Sequence, residues 1–446
     1  MDGSRETLIG GQVSSKLADR QILDAERELF LYKTHNREHI ISSFFATLRE
    51  SWHDPVLRQW RWERLRGRAK PETRARDFRP GGQAAAGAAL YKSGLDLGDE
   101  TKAAQGLRQM LSAAEQSIGP SGATLEGSTL RQVQLARLLT ESWLAARSRK
   151  RPEQVRLAGV ARSVIGALDA MTLPGGLPEI GGTPSKLSFR DPFADLDLSE
   201  QRLLEDLRRQ SRLHDLEALR RDGWLRLDAG PWSGLWYCPA SGWPAEEGLA
   251  HHDLGAPELH WNGLPLFVDP GPPPATQAHL SARYRSAVMH GGLSLNGDNP
   301  YPENRPYYTG AFRRNVAGPA PDLRATHDGV RLAMDGFGRF GGHRQIERHW
   351  RFDGASLRID DLVLGTGRPR IERRLITPWA VSQEGTDIVL IKGEHRLVLS
   401  GEGTVALRQV KRWNARGDEL PLTMILFTVR ANLPWNGSLI LRPASA

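Results

Sequence analysis

The densest run of residues able to carry chemistry lies between Gly248 and Gly297. It reads Gly248-Leu249-Ala250-His251-His252-Asp253, then Glu258-Leu259, Asn262-Gly263 and Val268-Asp269-Pro270-Gly271. After a loop it continues Arg283-Tyr284-Arg285-Ser286-Ala287-Val288-Met289-His290. Paired imidazoles, an aspartate closing an apolar run and a further histidine form a set that zinc accepts, with a fourth position left for water or substrate. The spacing is not HExxH, so residue types alone leave a metal site and a plain loop both open. Each position has a simpler reading on its own. His251 and His252 fit a solvated loop, Asp269-Pro270-Gly271 is a good turn, and His290 fits a hydrogen-bonded core histidine. Only the group points to function. Trp232, Trp236, Tyr237, Trp243 and Trp261 flank it. Such rings pack against sugar faces, and core packing accounts for them equally well.

The elements that must position these residues differ between the two halves of the chain. Up to about residue 220 apolar residues recur at helical spacings. Leu23, Ala25, Leu29 and Leu31 begin the pattern, followed by Ile40, Phe44, Phe45 and Leu48. Further helices are predicted near 54–66, 83–94, 99–118, 128–147, 152–171 and 199–220. Gly94 and Gly119-Pro120 are expected stops, and Ser128 or Thr129 an expected N-cap. Short joints between antiparallel helices fit a bundle, a solenoid or a toroid, and no clear repeat favours the solenoid. The Pro- and Asp-rich stretch 173–198 reads as a long loop. From Gly223 onward short runs such as Trp224-Leu225-Arg226-Leu227, Leu357-Arg358-Ile359 and Met424-Ile425-Leu426-Phe427 are separated by Gly, Pro, Asn and Asp. That rhythm predicts an all-β sandwich. The boundary falls near 215–222, giving a helical part over 1–218 and a β part over 219–446.

Composition narrows the partners. The 446 residues are 39% hydrophobic and 25% charged, an ordinary globular balance for two or three domains. No apolar run of about 18 residues occurs, so no membrane span is expected. Met1-Asp2-Gly3-Ser4-Arg5 lacks a basic-then-apolar leader, so no secretion signal is expected in this chain. The single cysteine, Cys238, excludes an intrachain disulfide and a Cys-based zinc cluster. A net charge of +8 and a pI of about 9.8 attract polyanions: nucleic acid, anionic lipid or acidic polysaccharide. Much of the excess is arginine on predicted helices, such as Arg58, Arg61, Arg64, Arg66 and Arg68, where a solvated face explains it as well. Without an RNP motif, a zinc finger or a P-loop, nucleic acid is not an expected partner.

The line from Gly248 to Gly271 resembles the C-terminal domain of the heparinase II/III-like polysaccharide lyases. Members show Gly-His-Ala-His-x-Asp, then Phe-Glu-Leu, then Gly-x-Pro-Leu-Leu-Val-Asp-Pro-Gly, and farther on Arg-x-x-x-Ala-His-Asn-Thr. Asp335-Gly336-Phe337-Gly338-Arg339-Phe340, Glu347-Arg348-His349-Trp350-Arg351-Phe352-Asp353, Leu357-Arg358-Ile359-Asp360-Asp361 and Leu433-Pro434-Trp435 resemble the family's sandwich strands. Gly82 to Gly94 is similar to the helix that in the family begins Asn-Asn-His. Glu126-Gly127-Ser128 and Leu173-Pro174-Gly175-Gly176-Leu177-Pro178-Glu179-Ile180-Gly181 resemble two of the family's turns. The similarity spans roughly 80–446.

This resemblance implies an incomplete (α/α) toroid followed by an antiparallel β-sandwich, with a groove between them. It implies a β-elimination lyase acting on an acidic, uronate-containing polysaccharide. His251, Asp269 and His290 match the family's metal triad, implying one zinc that orders the site and no organic cofactor. A periplasmic or cell-envelope location goes with it. Elimination removes a weakly acidic proton beside the uronate carboxylate, so that carboxylate must be neutralised to stabilise the developing anion. A base must take the proton and an acid must protonate the leaving oxygen. Here the proton-transfer set departs from the family. Leu249 replaces a histidine, Pro80-Gly81-Gly82 stands at Asn-Asn-His, and Arg131-Gln132 stands at Tyr-His. Pro272-Pro273-Pro274 replaces a tyrosine, and Gly291 replaces an asparagine. The expected substitutes are His252 for the lost histidine, Tyr284 as the acid (Tyr237 and Tyr301 being others) and Arg131 on the carboxylate. Arg283 and Arg285 are expected to bind substrate through bidentate contacts, and Trp243 and Trp261 through their rings. The alternative is a catalytically inactive polysaccharide-binding or exopolysaccharide/capsule assembly factor.

Overall fold

The computed structural model describes residues 80–181, 193–194, 196–210, 216–239, 251–301, 318–340, 344–413 and 418–444. The helices predicted before residue 80, the arginines on them and Trp243 lie outside these residues. Helices come first: α1 (Pro80–Leu97), α2 (Glu100–Ser117), α3 (Thr129–Ser148), α4 (Gln154–Met171), α5 (Leu198–Gln210) and α6 (Leu216–Arg221). Antiparallel strands follow, beginning with β1 (Trp224–Ala229). The change from helix to strand thus falls between Arg221 and Trp224.

Local chemistry explains the helix ends. Asp99 caps α2, its carboxylate accepting from Lys102 N at 2.9 Å. Ser128 caps α3, its hydroxyl accepting from Arg131 N at 3.3 Å, so the serine is the expected cap. Gly94 is not a stop. The helix runs on to Leu97, and the chain turns at Gly98 with φ +68°. Gly94 instead serves close approach, since a Cβ there would lie 2.4 Å from Ala103 N. Gly87 and Gly106 do the same work, and together they let the α1 and α2 backbones touch. Gln132, fully buried, receives Thr124 N on its side-chain oxygen at 2.7 Å. Its amide donates to Gly122 O and Val164 O. That one side chain therefore fixes the turn before α3, at a position where the resembling family has a histidine and this chain departs from it.

The strands form three sheets. The first has the order β1–β2–β3–β4, with β2 (Trp232–Tyr237), β3 (Glu258–Trp261) and β4 (Leu264–Phe267). The second contains β5 (Leu293–Leu295), β10 (Arg370–Thr377), β14 (Thr404–Trp413) and β15 (Glu419–Arg430). The third has eight strands, β6 (Asp322–Ala325), β7 (Gly329–Met334), β8 (Gln345–Asp353), β9 (Ser356–Leu364), β11 (Ala380–Glu384), β12 (Asp387–Lys392), β13 (His395–Gly401) and β16 (Trp435–Pro443). All pairings among the described strands are antiparallel, and successive side chains point to opposite faces. The first sheet uses both faces. Trp224, Leu235 and Tyr237 join the helical core, while Leu225, Trp232 and Trp236 join the core shared by all three sheets. This small sheet is the layer that fastens the helices to the rest. Residues 336–340, expected as part of a strand, form a short 3-10 turn, consistent with two glycines in five residues.

Candidate functional site

Three loops bring the expected metal ligands together. His251 precedes β3, Asp269 follows β4, and His290 follows a single 3-10 turn, Ala287–Met289. Their ligand atoms all lie within 4.8 Å of one another, and each residue is buried. Asp269 is held at both oxygens. Oδ1 accepts from Gly271 N at 2.7 Å, and Oδ2 lies 2.6 Å from His290 Nδ1. His290 Nε2 donates to Tyr284 O at 2.8 Å, which turns Nδ1 toward the carboxylate. A metal-ligating histidine is held in the same way by a carbonyl behind it. Burial opposes charge on both groups of the pair. The mutual attraction overrides it, holding the His290 imidazole above its ordinary range and the Asp269 carboxyl below.

His251 completes the set. Burial, aided by His290, pushes its imidazole down to about 3, so it is neutral near pH 7. Its Nδ1 is buried with no hydrogen-bond partner, an unusual cost unless something else meets the lone pair. Two neutral-capable imidazoles and a carboxylate suit zinc, and the orphaned nitrogen fits a metal at this place. Bound there, the ion would be held by His251, Asp269 and His290 and would cross-link three loops. Asp253 stands nearby with a buried, unpartnered Oδ2. Burial and the Asp269 charge push its carboxyl up to about 7, against the pull of His290. The Arg412 guanidinium pairs with Glu179 at 2.9 Å and feels the charges of Glu258 and Asp269.

A proton count follows from this geometry. Metal-free His290 carries a proton at Nδ1 in its ion pair, and a metal must displace it. Zinc binding near pH 6.5 is expected to release about one proton and to tighten as pH rises through the raised His290 value. Calorimetry in two buffers of different ionisation enthalpy measures the release. Binding without proton release would contradict the assignment of Nδ1 as the ligand.

The other expected site residues are dispersed. His252 is buried, with its backbone N–H bonded to Arg285 O at 2.8 Å. The Tyr284 hydroxyl donates to Lys411 O at 2.9 Å and accepts from Lys411 N at 3.3 Å, while its ring packs on Trp413. Proton donation by Tyr284 would require that pair to break. Trp261 is buried against Trp232 and Trp379, so it is a core residue and not a sugar platform. Arg283 is exposed, and Arg285 is partly buried near His251 with an unpartnered Nε.

Arg131 sits elsewhere, on the wall of a cavity of about 420 Å³. The lining includes Lys92, Glu126, Arg131, Gln134, Arg137 and Glu141, with alanines of α1 opposite. Glu141 pairs with Lys92 at 2.7 Å and Arg137 at 2.8 Å, and Glu126 pairs with Arg131 at 3.2 Å. Among the described residues this cavity is walled by the helical part alone, whereas a groove between the halves was expected. Lys92, Arg137 and Arg412 escape sequence reasoning because no motif marks them. Arg412 and its partner Glu179 are 233 residues apart.

Residues 211–421 match the family described as heparinase II/III-like, C-terminal. That stretch, a little under half of the chain, is what resembles the heparinase II/III-like family. Two solved structures resemble the larger part of the chain. One is a mutant of heparan sulfate lyase HepC from Pedobacter heparinus, 12% identical with a TM-score of 0.57. The match covers 82% of this chain and 60% of that one. The other is heparinase III, 14% identical with a TM-score of 0.57, covering 82% and 61%. At such identity the likeness is one of fold, and this chain spans about three-fifths of either protein. No curated protein matches the chain. Among the described residues no helix is long and apolar enough to cross a membrane.

Proposed function

We propose that this heparinase II/III-like chain takes an acidic, uronate-containing polysaccharide into the helical cavity and cleaves it by β-elimination. In this reading the helices are an incomplete (α/α) toroid, the two larger sheets are a β-sandwich, and the protein works in the bacterial periplasm or cell envelope. The observation that carries the reading is the set of three cations, Lys92, Arg131 and Arg137, on the wall of one cavity. Arg131 contacts both Glu126 and Gln134, and exchanging Glu126 for a substrate carboxylate would neutralise the charge that opposes proton removal. His252 is the proposed base; it does not line the cavity, so a polymer held there must extend beyond the cavity to reach it. Zinc in the His251–Asp269–His290 centre supplies order to the surrounding loops.

A second reading is a polysaccharide-binding protein without lyase activity. It is favoured by the occupied hydroxyl of Tyr284 and by a cavity lining with no histidine or tyrosine among the described residues. One assay separates the two. The protein is mixed with alginate, heparin and unsulfated uronate polymers while the ultraviolet band of unsaturated uronate is followed. Band growth that disappears in His252→Ala supports the lyase; tight binding without growth supports the binder. In either case Arg131→Ala is expected to weaken binding about 10–100-fold, the worth of one charge-assisted contact. Unchanged binding in Arg131→Ala would remove the cavity from the proposal.

A further inference from the structure

We infer that Glu258 and Arg412 are positioning residues that tie the His251–Asp269–His290 centre to the wall of the helical cavity. The inference rests on the reading above, in which the centre holds a divalent metal and the cavity holds substrate. Glu258 is buried on β3, and one of its oxygens serves two masters. Oε2 lies 3.5 Å from Asp269 N and 3.2 Å from Glu179 N. Asp269 is a candidate ligand, and Glu179 belongs to the 173–181 loop of the helical part. A shift of the Asp269 backbone therefore moves the same atom that seats this loop.

Two further contacts stiffen the joint. Arg412, on β14, meets the Glu179 carboxylate at 2.9 Å and feels the charges of Glu258 and Asp269 as well. His260, two residues along β3 from Glu258, accepts Gly175 N on Nδ1 at 3.2 Å. The loop then passes the constraint on. Ile180 and Thr129 are doubly joined, Thr129 N to Ile180 O at 3.1 Å and Ile180 N to Thr129 Oγ1 at 3.1 Å. Thr129 is the first residue of α3, and Arg131, two residues later, lines the cavity. The path from ligand to cavity wall is thus Asp269, Glu258, Glu179, Ile180, Thr129, Arg131. A bound cation that immobilises Asp269 would order Arg131 through it, and by linkage whatever orders the loop must tighten the metal. A contiguous path is not itself coupling, so the test measures coupling directly.

Protein freed of metal by a chelator is compared with and without added zinc. Amide hydrogen exchange is read over 126–131, 173–181 and 251–290, and zinc affinity is measured by competition with a coloured chelator. In the wild type, zinc is expected to slow exchange about fivefold or more in 173–181 and 126–131, the lower end of ordinary coupling. Glu258→Gln is expected to lose that distant slowing, to keep slowing in 251–290, and to bind zinc about fivefold more weakly. Thr129→Val, remote from the centre, loses the bond from Ile180 N but keeps its own N–H bond to Ile180 O, so it should keep the effect in 173–181 and weaken it in 126–131. If Glu258→Gln does not fold, Arg412→Met interrogates the same joint. Zinc-induced slowing confined to 251–290 in the wild type, or unaltered distant slowing in Glu258→Gln, overturns the inference and leaves the metal centre standing. A wild type that binds no zinc overturns both. Failure to bind uronate polymers, with the exchange pattern as expected, refutes the proposed function alone.

Discussion

Asp269→Ala is expected to cost about 3–5 kcal/mol of stability, the penalty for breaking a buried pair and leaving its partner behind, and to abolish metal binding. The alanine strands the His290 imidazole 2.6 Å from where its counter-charge stood. It also removes the acceptor of Gly271 N. Asp269→Asn separates these effects, since its amide oxygen retains the Gly271 bond while the charge is lost. It should be more stable than the alanine variant and equally unable to hold metal. Denaturant midpoints and metal content measure both. An alanine variant that is as stable as the wild type and carries one equivalent of metal would refute the triad.

The same pair has a pH signature in metal-free protein. The raised His290 value contributes stability that is complete below the unfolded value of about 6.5 and fades as pH climbs through the folded one. The lowered Asp269 value contributes stability present above about 3.9 and lost as pH falls through its folded value. The stability gap between wild type and Asp269→Ala should therefore be widest between about pH 4 and 6.5. A gap that instead grew steadily toward alkaline pH would contradict the ion pair.

Gly106→Leu is the second large effect, expected to destabilise by about 3 kcal/mol or more, the upper end of overpacking. Even its Cβ would lie 2.3 Å from Tyr91 N and 2.7 Å from Gly87 O. Those are backbone atoms, which cannot rotate away. The two helices must separate, and α1 carries Lys92 of the cavity wall and Tyr91, whose hydroxyl donates to Glu153 at 2.9 Å. Ligand affinity should fall along with the melting temperature. Gly159→Ala is the matching control. It lies inside α4 with nothing within 4 Å of an added Cβ, and it should stabilise by about 0.5–1 kcal/mol. Equal effects of the two substitutions would deny that the α1–α2 contact depends on glycine.

Much of the architecture was legible because secondary structure is a local property. The periodic segments near 99–118 and 152–171 are α2 and α4 within about two residues. The runs at 224–227 and 424–427 lie in β1 and β15. The errors share a cause. Gly94 reads as a stop when only neighbours in sequence are considered, yet the structure uses its missing side chain against a second helix. Trp261 reads as a sugar platform by residue type, and core packing claims it instead.

By itself the sequence determined the order of helices before strands, the family that the β part resembles and the identity of the three candidate ligands, because periodicity and motif are carried by residues close together along the chain. Only the tertiary structure decided which nitrogen of His290 faces Asp269, that His251 keeps an unpaired nitrogen, that the cavity lies within the helical part, and that Arg412 closes on Glu179. Those facts depend on the packing of segments tens to hundreds of residues apart, where the positions of single atoms, more than the types of side chain, settle which groups meet.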